Sequence, residues 1–237
     1  MSAPPLPVLV LLPGLDGTGI MFAPFVKALE PVEARVVRYP AELTAYPDCV
    51  AFARKALPAD RPYLLLGESF SGPVAIALAA ERPKGLLGLV LCSTFACNPR
   101  PELAWLAPLV RLLPPMRLPL PLLRRLLLGG RAPQALSALV TTMLPQVPTF
   151  TLKQRLLAVA AVDHTALLDR IQVPVLALCA SQDRLVSVAA IEWIREHLAS
   201  LDIVTLQGPH WLLQTRPDAC VQAIQAFTER NSSARSA

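Results

Sequence analysis

Hydrophobic positions in this chain follow two rhythms. Short, mostly apolar runs occupy residues 7–12 (PVLVLL), 34–39 (ARVVRY), 63–66 (YLLL), 86–93 (LLGLVLCS), 173–181 (VPVLALCAS) and 201–206 (LDIVTL). Runs of that length predict buried strands of a parallel sheet. Between them lie segments in which apolar residues return at helical spacing: 22–29, 49–57, 73–82, 187–198 and 218–230. Pro31 and Pro83 close two of these segments, as a residue without an N–H should. Strands alternating with helices predict an α/β fold, a parallel sheet with helices on both faces. The polar ending NSSARSA predicts a frayed terminus.

From residue 95 to 171 the alternation stops. This stretch is rich in proline and offers helical segments at 102–113, 120–128, 133–144 and 152–162, with no convincing strand. A helical insertion between two strands predicts a cap over the carboxyl edge of the sheet, where open α/β sheets bind ligands. The expected division is a core of residues 1–95 and 172–237 with a cap of residues 96–171.

Composition narrows the picture. The 237 residues suit one α/β domain with an insertion. With 54% apolar and 16% charged residues, a broad apolar surface or pocket is expected. No apolar run reaches the roughly 18 residues that cross a bilayer. The N-terminal stretch lacks a basic leader region and runs into a glycine-rich turn, so it predicts a first core strand and a cytoplasmic protein. The five cysteines form no C-x-x-C pair, which predicts free thiols, and three histidines argue against a histidine-rich metal site.

Charge is unevenly placed. Between residues 96 and 172 lie nine basic residues (Arg100, Arg111, Arg117, Arg124, Arg125, Arg131, Lys153, Arg155, Arg170) against Glu102, Asp163 and Asp169. A cap of that sign steers anionic substrates, an acidic acyl-carrier protein or an anionic surface; equally, arginines snorkel over an apolar cap to keep it solvated. Basic charge without interleaved aromatics or a binding motif does not point to nucleic acid.

The chemistry is concentrated at Gly67-Glu68-Ser69-Phe70-Ser71-Gly72, set between the run 63–66 and an Ala-rich helix. A serine on so sharp a strand-to-helix turn is the arrangement of a nucleophile elbow, which needs small residues two places before and after it. Gly67 and Ser71 fill those places; Ser71 departs from the usual glycine. Serine needs a base, and the base an orienting acid. Asp183 follows the run 173–181, and His210 follows the run 201–206, both just past a strand on the edge that carries Ser69. His197 lies near a helix end and His164 in the cap, where surface and structural roles account for them. Asp163 and Asp169 flank cap helices. The oxyanion that forms at the carbonyl needs two N–H donors. Phe70, after the nucleophile, offers one, and Leu15 in the LPGLDG loop offers the other. Asp16 is either a turn residue or a polar contact in the pocket.

Taken together, LPGLDG, GESFSG, the SQDRLV turn and GPHWLLQTRP resemble the landmarks of a serine esterase of the α/β-hydrolase superfamily. The chain is similar to bacterial carboxylesterases and to pimeloyl-carrier-protein methyl ester esterases. The resemblance implies a shortened, mostly parallel sheet of about six strands. It also implies a triad of Ser69, Asp183 and His210, with no metal or organic cofactor. The expected function is hydrolysis of small to medium acyl esters through an acyl-enzyme. An acyltransferase or thioesterase using the same triad, or a non-catalytic hydrolase-like binding protein, stays open. Trp105, Met143 and Trp211, with Met116 and Phe150, are candidates to line an acyl channel, against the plainer role of packing the cap.

Overall fold

A computed structural model describes residues 7–112, 114, 120–128 and 134–236. Its centre is a six-stranded sheet of β1 (Val8–Leu12), β2 (Ala34–Val36), β3 (Tyr63–Glu68), β4 (Leu86–Cys92), β5 (Val175–Ala180) and β6 (Asp202–Leu206). The order is β2-β1-β3-β4-β5-β6, and every pairing is parallel, as the alternating pattern requires. The order reverses between β1 and β3. At such a switch point the loops after the two strands diverge and leave a crevice for ligand. Leu12 pairs with Gly67 there, so the LPGLDG loop and the elbow leave the sheet side by side.

Period-two alternation sorts each strand onto two cores. Val8, Val10, Leu12, Tyr63, Leu65, Leu89, Leu91, Val175 and Ala177 face a layer built with α2 (Tyr46–Arg54), α3 (Gly72–Ala80) and α9 (Val188–His197). Leu9, Leu11, Leu64, Leu66, Val90, Cys92, Leu176 and Leu178 face α1 (Ala23–Leu29) and α11 (Pro217–Ser236). Each fully buried Leu or Val contributes about 1.5–3 kcal/mol, which explains the nearly unbroken apolar strands. All nine residues of α3 are buried, so this helix is covered on every side rather than on one stripe.

Between β4 and β5 the described residues form the helices α4 (Ala107–Leu112), α5 (Leu120–Leu128), α6 (Gln134–Met143), α7 (Thr149–Ala161) and α8 (Thr165–Leu168). A third apolar cluster docks this segment onto the core. It joins Leu128, Leu136, Val140, Met143 and Val147 to Met21 and Trp211. α10 (Leu212–Thr215) follows β6.

Three expectations shift. The helix expected at 102–113 begins as a 3-10 turn, Pro101–Leu106, and turns α-helical only around Pro108, whose missing N–H is harmless in a first turn. The helix expected at 49–57 starts earlier, at Tyr46, with Pro47 in its first turn. The expected last helix, 218–230, is longer: α11 continues to Ser236, and NSSARS holds no proline or glycine to stop a helix already propagating.

Candidate active site

Ser69 stands where β3 becomes a single 3-10 turn, Ser69–Ser71, that runs directly into α3. Its φ of 50° lies in the left-handed region, where an L residue is strained, and the surroundings hold it there. A Cβ on Gly67 would sit 2.6 Å from the Ser71 carbonyl oxygen and 2.8 Å from the Ala75 Cβ. One on Gly72 would run into the Thr94 side chain, whose hydroxyl donates to the Ser69 carbonyl. The tight approach beyond Ser69 therefore falls on Gly72, which leaves room for a serine at 71. That serine is used: its hydroxyl donates to the Pro13 carbonyl and lies 3.1 Å from the Tyr39 hydroxyl.

His210 is 2% exposed and reaches both partners. Nε2 lies 2.9 Å from Ser69 Oγ, and Nδ1 lies 2.7 Å from Asp183 Oδ2. The other carboxylate oxygen, Asp183 Oδ1, accepts the backbone N–H groups of Leu185 (2.8 Å) and Val186 (2.9 Å). Gln182 N–H donates to the Gly208 carbonyl at 2.9 Å, which ties the acid's loop to the histidine's loop. The other two histidines are engaged elsewhere. His164 Nδ1 meets the Pro73 carbonyl at 2.9 Å, and His197 Nδ1 meets the Trp193 carbonyl at 2.8 Å. Asp163 receives the Thr165 N–H at 3.0 Å, the flanking role expected of it.

The 13–17 loop is fastened at successive carbonyls. Pro13 O accepts from Ser71, Gly14 O accepts the Gly17 N–H at 3.0 Å, Leu15 O accepts from Arg155 Nη1 at 3.0 Å, and Gly17 O accepts the Tyr39 N–H at 2.8 Å. Among the described residues the Leu15 N–H has no hydrogen-bond acceptor. Asp16 acts as a turn residue: its Oδ1 accepts the Thr18 N–H at 2.8 Å and the Thr18 hydroxyl. Phe70 is buried and stacks on Tyr46, with ring centroids 4.8 Å apart.

Three buried polar residues escaped the sequence reading. Glu68, one residue before Ser69, is 3% exposed and accepts from Gln214 Nε2 at 2.8 Å. Burial pushes its carboxyl up to about 7, against the Gln214 hydrogen bond and the nearby His210, with Asp16 adding to the rise. Gln214 sits one helical turn after His210, the only local signal that it faces the same site. Arg155 was counted with the surface charge of the cap, yet it is fully buried. The acyl-channel candidates separate. Trp105 is 73% and Phe150 58% exposed, whereas Met143 and Trp211 are packed inside the cluster that docks the cap. Met116, Arg117 and Arg131 lie outside the described residues. A cavity of about 100 Å³ borders Asp183 from its far side, lined by Ser93, Thr94, Cys179, Val186 and Ile191, and does not reach Ser69.

A doubly wound parallel sheet with a serine elbow at its switch point, and an acid and a histidine on the strands beyond, defines an α/β hydrolase. The family described as serine aminopeptidase, S33, matches residues 8–210, and the chain belongs to it. No curated protein sequence matches the chain. Its fold is similar to that of a lipase-esterase related protein from Clostridium acetobutylicum (TM-score 0.78, 16% identity, 93% of each chain covered). An esterase from Exiguobacterium antarcticum has a TM-score of 0.74 at 15% identity, covering 94% of this chain and 91% of the other. The proline iminopeptidase of Mycobacterium smegmatis has a TM-score of 0.72 at 16% identity, covering 99% and 93%.

Proposed function

We propose that this chain is a serine carboxylic ester hydrolase that works through an acyl-enzyme on small to medium acyl esters. The observation that carries the proposal is the continuous hydrogen-bonded line from Ser69 through His210 to Asp183. His210 Nε2 takes the Ser69 proton as Oγ bonds to the ester carbonyl carbon. The carbonyl electrons move onto oxygen, and the Leu15 and Phe70 N–H groups hold that oxyanion. The tetrahedral adduct collapses and the alcohol leaves with the proton from His210. Water then attacks the acyl-enzyme with His210 again as base, releasing the acid and restoring Ser69.

An amino-terminal peptide bond is the competing substrate that the family description raises. A carboxylate placed to receive the substrate's ammonium would favour its binding. The carboxyls beside Ser69 are poorly suited: Glu68 is buried, bonded to Gln214 and raised to about 7, and Asp16 is turned onto Thr18. The basic excess of the 96–172 segment repels a cation as well. Both features favour a neutral or anionic ester.

The test is hydrolysis of p-nitrophenyl esters from acetate to palmitate, run beside proline p-nitroanilide, with Ser69→Ala as control. Ester turnover that falls by at least about 10³-fold in the variant supports the reading. Turnover of the anilide alone replaces it with peptidase action. Activity unchanged in Ser69→Ala removes Ser69 as nucleophile.

A further inference from the structure

Arg155 is carried on α7, outside the sheet, yet its guanidinium ends between two loops, the one that precedes α1 and the one that precedes α2. Nη1 donates to Leu15 O at 3.0 Å, Nη2 to Pro40 O at 3.1 Å and Leu43 O at 2.9 Å, and Nε to Leu43 O at 3.0 Å. Among the described residues no carboxylate lies within ion-pair distance of it. A cation buried against carbonyl dipoles alone is costly, and desolvation depresses its pKa. The buried residues of α7 are only Thr151 and Arg155, while Ala158 and Val159 pack half-buried against the core.

Its position explains the expense. The guanidinium carbon lies 5.8 Å from the Phe70 ring centroid and 5.8 Å from that of Tyr39. One group thus touches both residues whose N–H groups are assigned to the oxyanion. Leu15 is held between two fixed peptides. Gly14 O, on the peptide that carries the Leu15 N–H, is held by Gly17; Leu15 O, on the next peptide, is held by Arg155. With both planes set, a trans peptide directs the Leu15 N–H away from the Gly14 carbonyl. Gly17 completes the fit. Its φ is +74°, and a Cβ there would run into the guanidinium, 2.9 Å from Cζ.

We propose that Arg155 is a positioning residue for the oxyanion hole, a clamp from the helical segment that sets the Leu15 peptide for the transition state. The proposal rests on the assignment of Ser69 as nucleophile and of Leu15 as an oxyanion donor. It predicts that the clamp acts on kcat, because the oxyanion exists only in the transition state.

The experiment compares wild type with Arg155→Met, Arg155→Lys and Thr151→Ala on a p-nitrophenyl ester. Binding of an alkylboronic acid, which presents a tetrahedral oxyanion, and the rate of fluorophosphonate labelling are read in parallel. Thr151 is one turn away on the same helix, and its hydroxyl donates to the Ala41 carbonyl at 2.8 Å, so its loss loosens the same junction without touching Leu15. For Arg155→Met the expected result is a kcat lower by about 10- to 100-fold with KM within about two-fold, and boronate affinity reduced in step. Arg155→Lys should recover part of this, and Thr151→Ala should keep kcat within about two-fold. Equal kcat in Arg155→Met, a loss confined to KM, or an equal loss in Thr151→Ala overturns the clamp. If Arg155→Met does not fold, Arg155→Lys carries the same comparison. Wild type that neither turns over esters nor labels removes Ser69 as nucleophile, and the clamp falls with it. Wild type that labels at the same rate as Arg155→Met removes the clamp alone.

Discussion

Gln214 Nε2 donates to Glu68 Oε1 across 2.8 Å, and both side chains are buried, Glu68 directly before Ser69 in the chain. The bond favours the ionised carboxyl, but desolvation outweighs it and raises Glu68 from an ordinary 4.5 to about 7. The folded protein therefore holds a proton that the unfolded chain releases between those values. Unfolding sheds that proton, so stability declines as pH rises from 4.5 to 7 and then levels off, by on the order of 3 kcal/mol at most. Glu68→Gln removes the titration. Thermal melts of both proteins from pH 4.5 to 8 should show a falling contribution in wild type that the variant lacks, leaving Glu68→Gln the more stable at pH 8. Parallel curves would show that Glu68 stays ionised in the fold.

Asp183 divides its oxygens, one to His210 Nδ1 and the other to two backbone N–H groups. An amide at this position must keep its oxygen on the two N–H donors, which turns its NH₂ towards Nδ1. His210 then has to accept at Nδ1 and carry its proton on Nε2, where it cannot receive the Ser69 proton. Asp183→Asn should keep its fold and lose about 10³- to 10⁴-fold in kcat. A loss under about ten-fold would mean that the acid does not fix the tautomer.

How much of this was legible depends on how far apart in the chain the interacting residues lie. The strands and the elbow announce themselves in runs of four to nine residues. Ser69, Asp183 and His210 follow the ends of β3, β5 and β6 in chain order, so the line they form could be expected. Arg155 could not, because its acceptors lie 112 to 140 residues away and helical spacing alone placed it among surface charges. The only hint was Thr151, one turn earlier on the same face. Glu68 was hidden for the opposite reason: it adjoins the motif, and the motif's own logic leaves that position free. In α3 the helical spacing located the helix but could not show which face is buried, since all nine of its residues are.

Ser71 is the departure from the usual glycine, and its hydroxyl joins the elbow to Pro13 at the head of the 13–17 loop. Ser71→Gly restores the common pattern but leaves the Pro13 carbonyl without that donor. The change should cost about 1–3 kcal/mol of stability and lower kcat, while Tyr39→Phe, which spares the Ser71–Pro13 bond, should affect kcat much less. Equal kcat in Ser71→Gly and wild type would show that the loop keeps its shape without this tie.

Thr94 follows β4, and its hydroxyl donates to the carbonyl of Ser69, whose φ of 50° is the strained point of the elbow. The same side chain fills the space that a Gly72 Cβ would need. Thr94→Val keeps the shape and removes only the donor, so it isolates the hydrogen bond from the packing. A left-handed residue costs roughly 1–3 kcal/mol to hold, and this bond is part of what holds it. Thr94→Val should lower the melting temperature and slow fluorophosphonate labelling of Ser69 together, because a relaxed φ swings Oγ away from His210 Nε2, now 2.9 Å distant. Gly72→Ala, which displaces Thr94 sterically, should be more severe on both measures. A melting temperature that falls in Thr94→Val while the labelling rate stays at the wild-type value would separate the two effects and show that Gly67 and Gly72 hold Ser69 without the hydroxyl.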